Sequence, residues 1–140
     1  MNDPQANFWQ SHSIKFLEAA FRTDRQERLA NADGRGQKTG DCGDSVEFFL
    51  IVRDDHIQNM AYHLNGCVNT NACANALVDL AEGLSLSKAW EITPEDVSGA
   101  LESLPADHFH CAELTIGAFY LALADVRRNQ QSPWKKPYRQ

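Results

Sequence analysis

Val46-Glu47-Phe48-Phe49-Leu50-Ile51-Val52-Arg53-Asp54-Asp55-His56-Ile57-Gln58-Asn59-Met60-Ala61-Tyr62-His63-Leu64 is the stretch from which the fold is read. Val46 to Val52 is dense in β-branched and aromatic residues, which suit a pleated surface. Ile57 to Leu64 returns with alternation at Met60, Tyr62 and Leu64, and Asp54-Asp55 between the two runs is a polar turn. The pattern predicts an antiparallel hairpin, although Asp-Asp is not the strongest pair for a two-residue turn.

Upstream, residues 30–44 hold glycines at 34, 36, 40 and 43, a density that reads as loop with room for a short edge strand. Residues 12–23 read as an amphipathic helix with Ile14, Leu17 and Phe21 on one face. Downstream, Asn69 to Glu82 turns helical, with Ala72, Ala76, Leu77, Leu80 and Ala81 on one face and Gly83 as the stop. Ser85 to Trp90 suggests one short helical turn. Thr93-Pro94-Glu95-Asp96 starts another helix, with Thr as N-cap and Pro at the first helical position, ending near Leu104-Pro105. The last helix spans about Phe109 to Arg128. Leu114, Ala118 and Leu121 form its stripe, Tyr120, Leu123 and Ala124 widen it, and Arg127-Arg128 complement the dipole. The expected class is α+β, with helices packed mainly on one face of a small antiparallel sheet. The expected organisation is a flexible N-terminus over 1–11, one domain over 12–128 and a C-terminal tail over 129–140.

The chain of 140 residues is long enough to bury a core without staples. Its formal net charge of −6 argues against a phosphate-binding surface, so nucleic acid is not an expected partner. The Lys135-Lys136-Pro137-Tyr138-Arg139 segment is basic but short and reads as tail. Met1-Asn2-Asp3-Pro4-Gln5 lacks the features of a signal peptide. No run of apolar residues approaches the roughly 18–20 that a membrane helix needs, so no membrane partner is expected. These readings point to the cytoplasm, where thiols stay reduced and cysteines more often bind metal or react than form disulfides.

The four cysteines fall unevenly. Cys42-Gly43-Asp44 lies in the glycine-rich loop, Gly66-Cys67 precedes the alanine-rich helix, and His110-Cys111 starts the last helix. Each segment sets a thiol beside a carboxylate, a glycine or an imidazole. Gathered by a fold, they would form a soft, mostly sulfur site suited to iron–sulfur or zinc chemistry. A loop cysteine without apolar neighbours, as at Cys42, is seldom a core residue, and Asp44 two positions on can reach the same ion. Helix N-termini at Cys67 and Cys111 would favour their thiolates. Neighbouring helical residues point about 100° apart, so His110 and Cys111 do not both aim squarely at one point. His110 is either an alternative ligand or a supporting group. Cys73 reads as a buried structural thiol, with a reserve ligand or sulfur acceptor as the sharper alternative. His108 reads as a surface or rim residue. His12, His56 and His63 have no ligand-like spacing, and Trp9, Trp90 and Trp134 read as packing or interface residues.

Cys42-Gly43-Asp44, Gly66-Cys67 before a small-residue helix, and His110-Cys111 together resemble the NifU/IscU-type iron–sulfur cluster assembly scaffold, over about residues 12–128. The resemblance implies an α+β scaffold with a three-stranded antiparallel sheet. It implies that Cys42, Cys67 and Cys111 carry a transient 2Fe–2S cluster with Asp44 in the fourth position and His110 as the nearby alternative, and that Zn2+ is an alternative occupant. It implies a cysteine desulfurase as sulfur source and acceptor apo-proteins as recipients. An iron donor and a homo-oligomeric state stay open. The Leu-Pro-Pro-Val-Lys segment that an Hsp70-type chaperone reads in the bacterial Isc branch is Leu104-Pro105-Ala106-Asp107-His108 here, which puts that partner in doubt. Gly66-Cys67-Val68-Asn69 replaces the usual Gly-Cys-Gly-Ser, and Cys73 is extra. The 44 residues from Cys67 to Cys111 leave no room for the insertion of the Suf-type sulfur acceptors. The expected function is a cluster scaffold and carrier rather than an enzyme. Its rivals are a zinc-bound sulfur acceptor and a structural zinc module.

Overall fold

The computed structural model describes residues 13–131. The expected N-terminal lead-in with Trp9, the first position of the expected first helix, His12, and the basic tail with Trp134 lie outside the described residues. Strands β1 (Gly34–Thr39), β2 (Ser45–Arg53) and β3 (His56–Asn65) form an antiparallel sheet in the order β1-β2-β3. Helix α1 (Ile14–Phe21) precedes the sheet. After it come α2 (Val68–Ala81), a single turn α3 (Leu86–Ala89), α4 (Pro94–Leu101), a 3-10 turn (Ala106–His108) and the long α5 (Phe109–Gln131).

The expected hairpin is β2–β3. Asp54 and Asp55 stand at φ 54° and 59°, the double left-handed pattern of a type I′ turn, which matches strand twist. Asp tolerates this region because its short side chain can bond locally. In one cross-strand row Gly36 faces Phe48 and Phe48 faces Tyr62; in the next, Gly34 faces Leu50 and Leu50 faces Met60. Phe48, Leu50, Met60 and Tyr62 are all fully buried. The Phe48 ring meets those of Tyr62 and Phe119 edge-on, at 6.3 and 6.1 Å between centroids.

In the glycine-rich segment the short edge strand is β1, six residues paired along their whole length with β2, and the rest is connection. Gly34 and Gly36 are there for packing. A Cβ on Gly36 would lie 2.3 Å from the Ala122 nitrogen and 2.6 Å from the Ala118 oxygen. One on Gly34 would lie 2.3 Å from Val126 Cγ2. Helix α5 thus rests backbone against backbone on β1. The buried Asp125 carboxylate ties the two by accepting from the Arg35 N–H at 3.0 Å.

Two expected helix faces are corrected. In α1, Ile14 and Phe21 are 74% and 57% exposed, while Phe16, Ala19 and Ala20 are buried. The small residues face α2, whose Asn71 and Asn75 amides donate to the Ala20, Ala19 and Arg22 carbonyls at 2.8–3.0 Å and satisfy the free end of α1. In α5, Leu121 is 47% exposed, because Ala118 and Ala122 are the residues that face β1. This helix also runs on to Gln131, beyond the expected boundary at 128. By length and composition the segment Ala106–Gln131 is long and apolar enough to cross a membrane, which the residue-by-residue reading did not suggest. In the fold most of it is buried against the sheet, α2 and α4. Thr93 and Asp96 form the expected reciprocal capping box of α4, which ends early at Leu101, where Glu102 takes φ 66°.

Candidate metal centre

Three chain segments deliver the cysteines to one end of the molecule. The first is the tight connection between β1 and β2. Gly43 N–H donates to the Gly40 carbonyl at 3.0 Å, Gly40 N–H donates to the Asp44 carbonyl at 2.9 Å, and Gly43 stands at φ 92°, a conformation that favours glycine. The turn leaves Cys42 exposed and Asp44 half-buried at its base. The second segment is the exit from β3, where Cys67 is the N-cap of α2. The third is the start of α5, where a 3-10 turn brings in His108 one turn before the buried Cys111.

Asp44 is bound into the second segment. Its Oδ2 accepts from the Thr70 hydroxyl at 2.8 Å and from the Cys67 N–H at 3.4 Å. Gly66 makes room for this: a Cβ there would stand 2.9 Å from the same oxygen. The Thr70 hydroxyl also lies 3.7 Å from Cys67 Sγ. It has one proton, and the short contact to a carboxylate takes it. Thr70 itself is fully buried, so its position is set by the core.

The thiols differ. Partial burial works against the Cys67 thiolate, but the amides and side chains of Thr70 and Asn69 outweigh it and lower the pKa below the ordinary thiol value. With the Thr70 proton given to Asp44, we assign the lowering to the backbone N–H groups at the helix start. Cys111 goes the other way, which corrects the expectation for its helix N-terminus. Burial pushes its thiol up to about 11, and the charges of Cys67 and Asp44 reinforce this. Cys73 is fully buried, and burial first, then the charges of Cys111 and Cys67, push its thiol far up.

The ligand atoms of Cys67, His108 and Cys111 all lie within 4.8 Å of one another. His108, read as a rim residue from sequence, is half-buried, and its Nδ1 is buried with no hydrogen-bond partner among the described residues. Such an atom costs about 1–3 kcal/mol if left unsatisfied. The signal that could have found it is the three-residue spacing to Cys111, which puts both on one helical face. Cys42 stands outside this group. It lines an open cavity of about 580 Å³ with Lys38, Thr39, Asp41, His110 and Glu113. His110 is exposed on that side, tilted against the His108 ring at 5.8 Å between centroids, and its Nε2 lies 3.7 Å from Cys111 Sγ. So Asp44, Cys67 and Cys111 are brought together, His108 joins them, and Cys42 and His110 face the neighbouring cavity. The set offers soft thiolates, imidazole and carboxylate, a donor mixture that fits iron or zinc.

The sequence profile of the NifU-like N terminal domain matches residues 23–132. The iron-sulfur cluster assembly scaffold protein IscU 1 of Archaeoglobus fulgidus is 29% identical over 102 residues, which cover 72% of this chain and 67% of that protein. IscU of Aquifex aeolicus, also described as a cluster assembly scaffold, is 28% identical over 105 residues, covering 73% of this chain and 67% of that protein. In structure, the N-terminal part of a nitrogen-fixing NifU-like protein from Brucella abortus superposes with a TM-score of 0.70. The match covers 83% of this chain and 94% of that one at 15% identity, a likeness of fold.

Proposed function

The chain belongs to the NifU-like N-terminal domain family, and from that premise we propose that it is a scaffold on which iron–sulfur clusters are assembled and from which they pass to acceptor proteins. The cluster is cargo. The observation that carries the reading is the meeting of Asp44, Cys67 and Cys111 from three segments, with Cys42 on an exposed turn beside them. Cys67 and Cys111 form the floor of the cluster site, Asp44 supplies a carboxylate, and Cys42 closes over it from the turn.

Each residue has a distinct part. Cys67, exposed and with a lowered pKa, is the thiolate that attacks the sulfane sulfur of a cysteine desulfurase's persulfide. Its sulfur forms the new S–S bond, and the desulfurase leaves as a cysteine thiolate. Cys111, held neutral by burial, releases its proton when iron binds. Asp44 is a harder and weaker partner for a cluster than a fourth thiolate, which favours release to an acceptor apo-protein.

Anaerobic reconstitution with ferrous iron, cysteine and a cysteine desulfurase tests the proposal. Cluster absorbance should appear and then pass to an apo-ferredoxin. A folded wild-type protein that acquires no cluster would sink it. A zinc-bound sulfur acceptor is favoured by one specific observation, the mononuclear size of the Cys67–His108–Cys111 group. Tightly held zinc with stimulated desulfurase turnover, but no iron uptake, would select that reading.

A further inference from the structure

The imidazole that groups with both Cys67 and Cys111 is not the one beside Cys111 in sequence, although His110 Nε2 lies 3.7 Å from Cys111 Sγ. His110 is exposed and lines the open cavity with Cys42. His108 lies on the inner side, with a ring nitrogen within 4.8 Å of both Cys67 Sγ and Cys111 Sγ, and its Nδ1 is a buried polar atom without a hydrogen-bond partner among the described residues. We propose that His108 is a metal ligand in this chain and that Cys67, His108 and Cys111 hold a single divalent ion, Zn2+ or Fe2+, with Asp44 at the edge of the fourth position.

Three observations support this independently. First, the size fits one ion: donor atoms on a tetrahedral zinc stand about 3.5–3.8 Å apart, given Zn–S near 2.3 Å and Zn–N near 2.0 Å. Small side-chain rotations close the observed group to that size. Second, the backbone builds the site. The 3-10 turn closes with the His108 N–H donating to the Pro105 carbonyl at 2.9 Å, which fixes the histidine one turn ahead of Cys111. Third, the surroundings are already arranged. Cys67 is held by the α2 N-terminus, and the Asp44 carboxylate is held by Thr70 at 2.8 Å. The site leaves Cys42 free on its turn. A mononuclear ion and a cluster would then use overlapping but different ligands: His108 serves the ion, and Cys42 joins when a second iron and sulfide arrive. This rests on the cysteine pocket being the metal pocket of the proposed function.

The test compares His108→Gln and His110→Gln in the full chain, by Zn2+ titration against a chromophoric chelator and by the spectrum of the Co2+-loaded protein. His108→Gln should weaken Zn2+ binding by more than about tenfold, a larger loss than His110→Gln causes. The ligand-field bands of the Co2+ form should shift in His108→Gln, while the two-thiolate charge-transfer intensity stays. Far-UV circular dichroism checks the fold, and His108→Cys, which restores a ligand, should recover affinity if the loss is one of coordination. A larger loss in His110→Gln, or equal affinity in both variants, would overturn the proposal. The two readings fail separately. A wild type that assembles clusters while His108→Gln keeps its Zn2+ affinity defeats the ligand assignment alone. A wild type that binds Zn2+ through His108 but never builds a cluster defeats the scaffold reading alone.

Discussion

Gly36→Ala should destabilise the protein although it adds only one methyl group. The new Cβ would stand 2.3 Å from the Ala122 nitrogen, 2.6 Å from the Ala118 oxygen and 2.6 Å from the Leu121 carbonyl carbon. Ordinary contact begins near 3.4 Å, so α5 and β1 must separate locally by about 1 Å. All three obstacles are backbone, so no side-chain rotation relieves them. Overpacking of this kind costs about 1–3 kcal/mol, and a backbone obstacle places Gly36→Ala near the top of that range. Stiffening of the unfolded chain by alanine offsets about 0.4–1 kcal/mol. The net loss is about 2 kcal/mol, or about 8 °C in Tm at roughly 4 °C per kcal/mol for a chain of this size. Gly99→Ala is the matched control: it sits in α4 with nothing within 4 Å of its added Cβ. There, helix propensity predicts a gain of about 0.5–1 kcal/mol. Urea unfolding of both variants, with unchanged m-values, measures the pair. If Gly36→Ala were neutral or shifted with the same sign as Gly99→Ala, the close contact between α5 and β1 would be refuted.

Asp44→Ala should give a longer-lived cluster and slower transfer; transfer that is unchanged or faster would remove the case for the carboxylate as the releasing ligand. Thiol alkylation at pH 7.5 should be far faster at Cys67 than at Cys111, because a thiol at about 11 is only about one part in three thousand thiolate at that pH. Its rate at Cys111 should rise nearly tenfold per pH unit, and comparable rates at neutral pH, read by peptide mass spectrometry, would contradict the burial argument. Gly66→Ala should push the Asp44 carboxylate off Thr70 and the Cys67 amide, weakening Zn2+ binding and costing about 1–3 kcal/mol in urea unfolding as the buried Thr70 hydroxyl loses its acceptor. A tight-binding Gly66→Ala variant would show that this carboxylate is not part of the site. Asn75→Ala should cost about 2 kcal/mol in urea unfolding, since it strips the Ala19 and Arg22 carbonyls and the Tyr62 hydroxyl of a buried partner; a neutral result would mean water replaces the amide.

The readable part of this fold is the part with local causes. The β2–β3 hairpin, the capping box at Thr93 and the stop at Gly83, with φ 89°, each follow from residues adjacent in sequence. The missed parts have distant causes. The short edge strand is open to sequence, but the packing role of Gly34 and Gly36 is not, because its cause lies about ninety residues on, at Ala122 and Val126. Ile14 and Phe21 look like a core face because periodicity does not reveal that α2 offers amides and small residues to α1.

Sequence by itself determined which donor groups the candidate site can offer, since thiols, a carboxylate and imidazoles in the three segments are fixed by residue type and adjacency. It also determined that Cys42 and Asp44 share a turn and that Cys67 starts a helix. Tertiary structure alone decided which of these groups meet. It set Asp44 on Thr70 and Cys67, buried Cys111 so that its thiol is protonated at neutral pH, and left Cys42 and His110 facing the open cavity. It also turned His108 inward, one helical turn from Cys111. The physical reason is that the type of each donor group is a local property of the chain, whereas desolvation and the distance between donors depend on how α5 packs across the sheet.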